Sequence, residues 1–297
     1  MPTDRTGLAL AESGRTRPVT GSRRGARHRR RGRLVLLLVA AFVAGAGWLG
    51  GSALLASMRS PVCTIQAGGM TETFDPEQTA NAALITAVAI KRDLPARAAT
   101  IAITTAYQES KIRNIRFGDR DSLGIFQQRP SQGWGTPEQI LDPVYATNRF
   151  YDELVKLKGY EQADITTIAQ QVQRSAYPEA YRDHEGQGRV LASTLSGWSP
   201  AGLTCRLDPA TSHAAPSEVA AALHTQMGVS ATTDSHGLTV QARDERQAWA
   251  VGHWAVAWAQ TYGITRVAVG DRVWDRAAGG DGWSDGTATT TVRVSLG

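Results

Sequence analysis

A run of 25 residues without a single charge, Leu34–Met58, follows directly on an arginine-rich block, and no other feature limits the architecture of this chain so strongly. As a helix rising 1.5 Å per residue, such a run crosses the roughly 30 Å hydrocarbon layer of a bilayer. The first 33 residues hold ten arginines against two acids, Asp4 and Glu12. They cannot build a packed core, and beside a span they stay on the cytoplasmic side. This reads as a basic cytoplasmic tail at 1–33, a single-pass transmembrane anchor at 34–58, and an extracytoplasmic remainder. A cleaved signal peptide is the rival reading. Gly45, Gly47, Gly50 and Gly51 thin out the later half, and Ala53 and Ala56 are small enough to flank a cleavage site.

The net charge of +5 arises in that tail, and the rest of the chain is slightly acidic. Positive charge beside a span serves topology and anionic lipid, so no nucleic-acid partner is expected. The only two cysteines, Cys63 and Cys205, both fall on the outer, oxidising side and are expected to pair. Closing so long a loop is worth about 4–5 kcal/mol on loop entropy. The pair brackets 59–206 as one folded unit.

Within that bracket the punctuation is helical. Asp75-Pro76-Glu77-Gln78 and Thr136-Pro137-Glu138-Gln139 each supply an N-cap, a proline at the first helical position and a glutamine at N3. Apolar residues at three and four spacings predict further helices over 95–109, 143–158, 165–175 and 178–195, and strand patterns are scarce. A linker rich in Pro, Ala, Thr and Ser covers 207–216. The last segment, 217–297, predicts helices at 217–228 and 245–262 and strands at 238–242, 265–269 and 290–296. The expected fold is thus a mainly α domain plus a small C-terminal α/β (α+β) domain, after the transmembrane helix.

The segment Ala106-Tyr107-Gln108-Glu109-Ser110, followed by Ser122-Leu123-Gly124-Ile125-Phe126-Gln127-Gln128-Arg129-Pro130, resembles the lysozyme-like superfamily, in particular soluble lytic transglycosylases and goose-type lysozymes. The resemblance covers about residues 75–195. It implies that Glu109 is the catalytic acid, with Ser110 completing the Glu-Ser pair at the helix end. It also implies that the Gly124–Gln127 segment lines the cleft. The physical chemistry of the residues agrees: 97–107 are nearly all apolar or small, so a carboxyl at the end of that helix is partly desolvated and its pKa raised. A glycosidic oxygen needs a donor still protonated near neutral pH.

Around Glu109 the reading assigns substrate contacts. Gly124 lets the backbone turn or approach a sugar, Phe126 packs beneath it, and Gln127 turns amide groups into the cleft. Trp134 is either a sugar-stacking ring or a loop anchor. Gln173 and Tyr177 stand where the family carries an Ala-Tyr-Asn-like stretch, without the Tyr-Asn pair itself. A second carboxylate for hydrolysis has only Asp119 and Asp121 as near candidates, in a polar stretch suited to pairing with Arg116 or Arg120. If neither reaches the cleft, Glu109 acts as acid and then base, and the sugar's own 6-hydroxyl attacks.

The C-terminal segment resembles, more faintly, a domain of secreted actinobacterial proteins distantly related to zinc-dependent DD-carboxypeptidases. Those relatives have Asp and His where this chain has Gln241 and Arg293, which leaves His236 without partners for zinc. No metal or cofactor is expected. Trp274 and Trp283 read as glycan contacts or core anchors. The implied function is cleavage of peptidoglycan glycan strands from the outer face of the cytoplasmic membrane, and the alternative is a non-catalytic wall-binding or cell-division scaffold.

Overall fold

In this computed structural model the described residues are 60–173 and 178–297; the expected tail and transmembrane helix lie outside them. Among the described residues no helix is long and apolar enough to cross a membrane. Strands β1 (Val62–Ala67) and β2 (Met70–Phe74) form an antiparallel hairpin, and β3 (Leu203–Arg206) pairs with the other side of β1. Cys63 lies directly opposite Cys205 in that ladder, and the two form a disulfide across 142 residues of sequence.

Helix α1 (Pro76–Lys91) starts at the anticipated capping box, with Asp75 and Gln78 bonding each other's backbone amides. Its residues Thr79–Ala89 are all buried, so it is apolar or small all round and lies inside the protein. Helix α2 (Ala96–Ser110) carries the candidate acid. Next come α3 (Pro137–Leu141), which begins at the second capping box, α4 (Pro143–Leu154), α5 (Ile165–Gln173), a 3-10 stretch at Pro178–His184, and α6 (Glu185–Leu195). Helices α2 and α6 touch through backbone. A Cβ on Gly188 would stand 2.2 Å from Thr104 Oγ1 and 3.0 Å from the Thr100 carbonyl, so only glycine allows this approach.

The C-terminal segment contains α7 (Pro216–Met227), α8 (Glu245–Ala257) and α9 (Ala259–Tyr262). Its strands are β4 (Thr232–Asp234), β5 (Gly237–Val240), β6 (Ile264–Val269), β7 (Arg272–Asp275), β8 (Trp283–Asp285) and β9 (Val292–Leu296). They form one antiparallel sheet in the order β4-β5-β9-β6-β7-β8. Alternation is clear in β9, where Val292, Val294 and Leu296 are buried between the outward Arg293 and the half-buried Ser295.

The expected fold class is corrected here. The described chain is a mixed α+β fold with two antiparallel sheets, including a three-stranded sheet inside the stretch expected to be mainly α. Those three strands are four to six residues long and two of them meet only after the chain has returned from Cys63 to Cys205, so no local periodicity announces them. The helix expected over 178–195 opens as a 3-10 stretch, and that over 245–262 breaks after Ala257.

Residues Ser60–Gly297 form one compact unit. The expected linker 207–216 is tied into it by the buried Arg276, whose Nε donates to the Asp208 carbonyl at 2.6 Å, and by the Ala214 amide, which donates to Tyr262. The Trp283 indole donates to the Leu203 carbonyl at 2.8 Å, and His253 Nδ1 donates to the Thr194 carbonyl at 2.7 Å. The core therefore runs continuously from Cys63 to Leu296.

Candidate active site

Glu109 stands one residue before the end of α2, and the turn after it is unusual. Lys111 and Ile112 both adopt left-handed backbone, with φ of 57° and 60°, which is costly for a β-branched isoleucine. Packing holds them there. The Lys111 and Ile112 amides donate to the Tyr107 and Ala106 carbonyls. From α1, Gln78 Nε2 donates to the Lys111 carbonyl at 2.9 Å and Asn81 Nδ2 to the Ile112 carbonyl at 2.8 Å. Arg113 is in turn paired with both Asp75 and Glu77. The first turns of α1 thus fix the direction in which α2 delivers its carboxyl.

The Gly124–Gln127 motif folds as the tip of a tight hairpin, closed by paired backbone bonds between Leu123 and Gln128 at 3.0 Å. Gly124 has φ +76°, and a Cβ there would meet the Ile140 carbonyl at 2.7 Å, so the turn depends on glycine. Two consecutive carbonyls of the tip are engaged. Ser110 Oγ donates to Ile125 at 2.7 Å, and Gln173 Nε2 donates to Phe126 at 2.6 Å. The residue after the acid and a residue at the end of α5 therefore clamp the hairpin next to Glu109.

The carboxyl itself is half-buried and accepts a hydrogen bond from the Tyr181 hydroxyl at 2.7 Å. Gln173 is its other hydrogen-bonding neighbour. Burial pushes the Glu109 pKa above the ordinary carboxyl value, and the bonds from Tyr181 and Gln173 pull against that rise. Among the described residues no carboxylate contributes to the shift. Desolvation thus favours the protonated form while the donors that orient the carboxyl favour its anion, an opposition that suits a group that must give up a proton and take one back.

The sequence-derived site residues divide into three sets. Glu109 and Gln173 come together beside the Gly124 turn, whereas Gln127, at φ 48°, folds its amide back on its own loop and donates to the Gly124 carbonyl at 3.2 Å and the Phe117 carbonyl at 3.4 Å. Ser110, grouped with the substrate contacts, is buried instead; Phe126 packs beneath the turn as expected, and Trp134 fits the anchor rather than the stacking reading. Their relative exposures are 8%, 0% and 8%, and their side chains face the interior. Ser110 is used up on Ile125 and Ala106, Phe126 stacks on Phe150 at 4.6 Å, and Trp134 belongs to the core. Tyr177 lies outside the described residues.

Among the described residues the tyrosine that meets Glu109 is Tyr181, four positions beyond Tyr177. The signal in the sequence was a second tyrosine in the same stretch, without the long-range contact that selects it. Asp121 is bound by Arg129 Nε at 2.7 Å and by the Ser131 amide at 2.8 Å, which hold its carboxyl well below the usual range. Its partner is thus Arg129 rather than Arg116 or Arg120. Asp119 is almost fully exposed beside Arg120.

Basic and aromatic side chains also meet at the end of α2. The Tyr107 and His184 rings are 4.5 Å apart, and Lys111 Nζ lies 3.4 Å from His184 Nε2 and 4.8 Å from the Tyr107 ring centre. Desolvation and the Lys111 charge both push the His184 pKa down.

In the C-terminal segment Arg293 pairs with Asp234 at 3.2 Å and Gln241 is exposed. Among the described residues no group of three His, Cys, Asp or Glu side chains could hold a metal ion. Trp274 and Trp283 are both buried. A scan against protein-family models found no match, and a search of curated proteins found no matching relative.

Proposed function

We propose that this chain cleaves the β-1,4 glycan strands of peptidoglycan, with Glu109 as the general acid and then the general base. The observation that carries the reading is the single desolvated carboxyl at the end of α2, oriented by Tyr181 and Gln173 beside a hairpin built on Gly124. Protonated Glu109 donates to the glycosidic oxygen as its bond to the anomeric carbon breaks, and the leaving sugar departs as an alcohol. The carboxylate left behind accepts the proton of the 6-hydroxyl, whose oxygen bonds to the same anomeric carbon and closes a 1,6-anhydro ring. Among the described residues no other carboxylate perturbs Glu109, and Asp121 is tied to Arg129, which supports this one-carboxyl route over two-carboxylate hydrolysis. The uncharged run Leu34–Met58 behind the arginine block supports tethering to the outer face of the cytoplasmic membrane.

Mass spectrometry of products from purified peptidoglycan tests the proposal. Anhydro ends are expected, and their formation should stop in Glu109→Gln. Reducing ends would replace the intramolecular attack by water while keeping the acid. Absence of any soluble product from several peptidoglycans would overturn the reading and leave a wall-binding scaffold.

A further inference from the structure

The turn between α1 and α2 opens onto a cavity of ≈ 280 Å³ lined by Asp93, Glu161, Arg243 and Arg246 over apolar surface that includes Ile90 and Leu94. Glu109, Gln173 and Tyr181 are not among its lining residues. Its charged groups come from three places: the turn after α1, the loop before α5 and the segment that opens α8. Asp93 is held there in left-handed backbone, φ 52°, a conformation unfavourable for a non-glycine residue.

The charges leave one another unpaired. Among the described residues the Asp93 and Glu161 carboxylates enter no hydrogen bond or ion pair. Arg246 has the Trp198 ring at 5.0 Å as its side-chain partner, and Arg243 has only Asp244 at a loose 3.5 Å. Two arginines and two acidic residues, all solvent-exposed, line one cavity without pairing with one another, a set matched by a ligand that carries both signs. Arginine's planar fork suits a carboxylate, the two acids suit an ammonium, and the apolar surface suits an aliphatic stem between them. The volume lies at the lower end for ligand pockets, which limits the occupant to an amino acid or the end of a peptide.

We infer that this cavity binds a zwitterionic amino acid or peptide end bearing a free ammonium and a free carboxylate. The inference stands apart from the Glu109 reading, since neither its residues nor its chemistry overlap with that site. Calorimetric titration of the full-length protein in detergent tests it with three probes. These are Nα-acetyl-L-lysyl-D-alanine, its C-terminal amide, and its Nε-acetylated form, which carry both charges, the cation alone and the anion alone.

The zwitterion should bind at least about tenfold more tightly than either singly charged probe, and added salt should weaken it. Arg246→Gln and Glu161→Gln should each weaken it about fivefold or more at unchanged melting temperature, while Glu109→Gln should bind it like the parent. Equal binding of the three probes, no binding at about 10 mM, or full affinity in both cavity variants would overturn the assignment.

Discussion

Replacing Glu109 by glutamine separates its chemistry from its structural role, because the structure sets the expected sign of the stability change. Burial raises the folded pKa of Glu109 above the ordinary value of 4.5. Between the unfolded and folded values the native protein keeps a proton that the unfolded chain has released. Stability therefore falls as pH rises through that window, and the loss is complete above the folded pKa. Glu109→Gln has no proton to lose, so its melting temperature relative to the parent should climb with pH across the same window.

At acid pH the two proteins should be close. Protonated glutamic acid and glutamine each offer one carbonyl oxygen to two donors, Tyr181 and Gln173, and differ by about one hydrogen bond. That is about 1 kcal/mol, or roughly 2–4 °C for a unit of this size. Glycan cleavage, in contrast, should drop at least about 10²-fold, equivalent to about 2.7 kcal/mol of barrier. Scanning calorimetry from about pH 4 to pH 8 and chromatographic muropeptide release give the two readouts. A melting-temperature difference that stays flat or declines with pH would show that the carboxyl is not desolvated, and an unchanged rate would remove it as the acid.

Tyr181→Phe removes a donor that favours the Glu109 anion, so the acid's pKa should rise and the alkaline limb of the cleavage profile should move to higher pH; a limb that stays put would reduce Tyr181 to packing. Converting both Cys63 and Cys205 to alanine opens a 142-residue loop and should lower unfolding free energy by about 4–5 kcal/mol in denaturant titrations, and a loss below about 1 kcal/mol would contradict the entropic account. Gly124→Ala places a methyl against the Ile140 carbonyl at positive φ; a destabilisation of about 2 kcal/mol or more with reduced cleavage is expected, and a neutral result would mean that the hairpin tip can shift.

What residues within a few positions of each other could specify, the sequence specified. Both capping boxes open helices where Asp75 and Thr136 stand, because a cap needs only its own N3 residue and a local turn. The acid at the end of an apolar helix and the glycine of the downstream turn were legible for the same reason: desolvation follows from neighbours on the helix, and positive φ follows from the lack of a Cβ.

The choices that remained depended on residues far apart in the chain. Tyr181 meets Glu109 across 72 positions, and nothing local to Tyr181 announces that contact. Trp134 looks the same in sequence whether it faces a sugar or a core, and only the surrounding segments turn it inward. The sheet β2-β1-β3 was invisible because β1 becomes a central strand only when β3 arrives from the far end of the disulfide loop. Periodicity reports which face of a segment is apolar; which partner covers that face is decided by packing among all the segments at once.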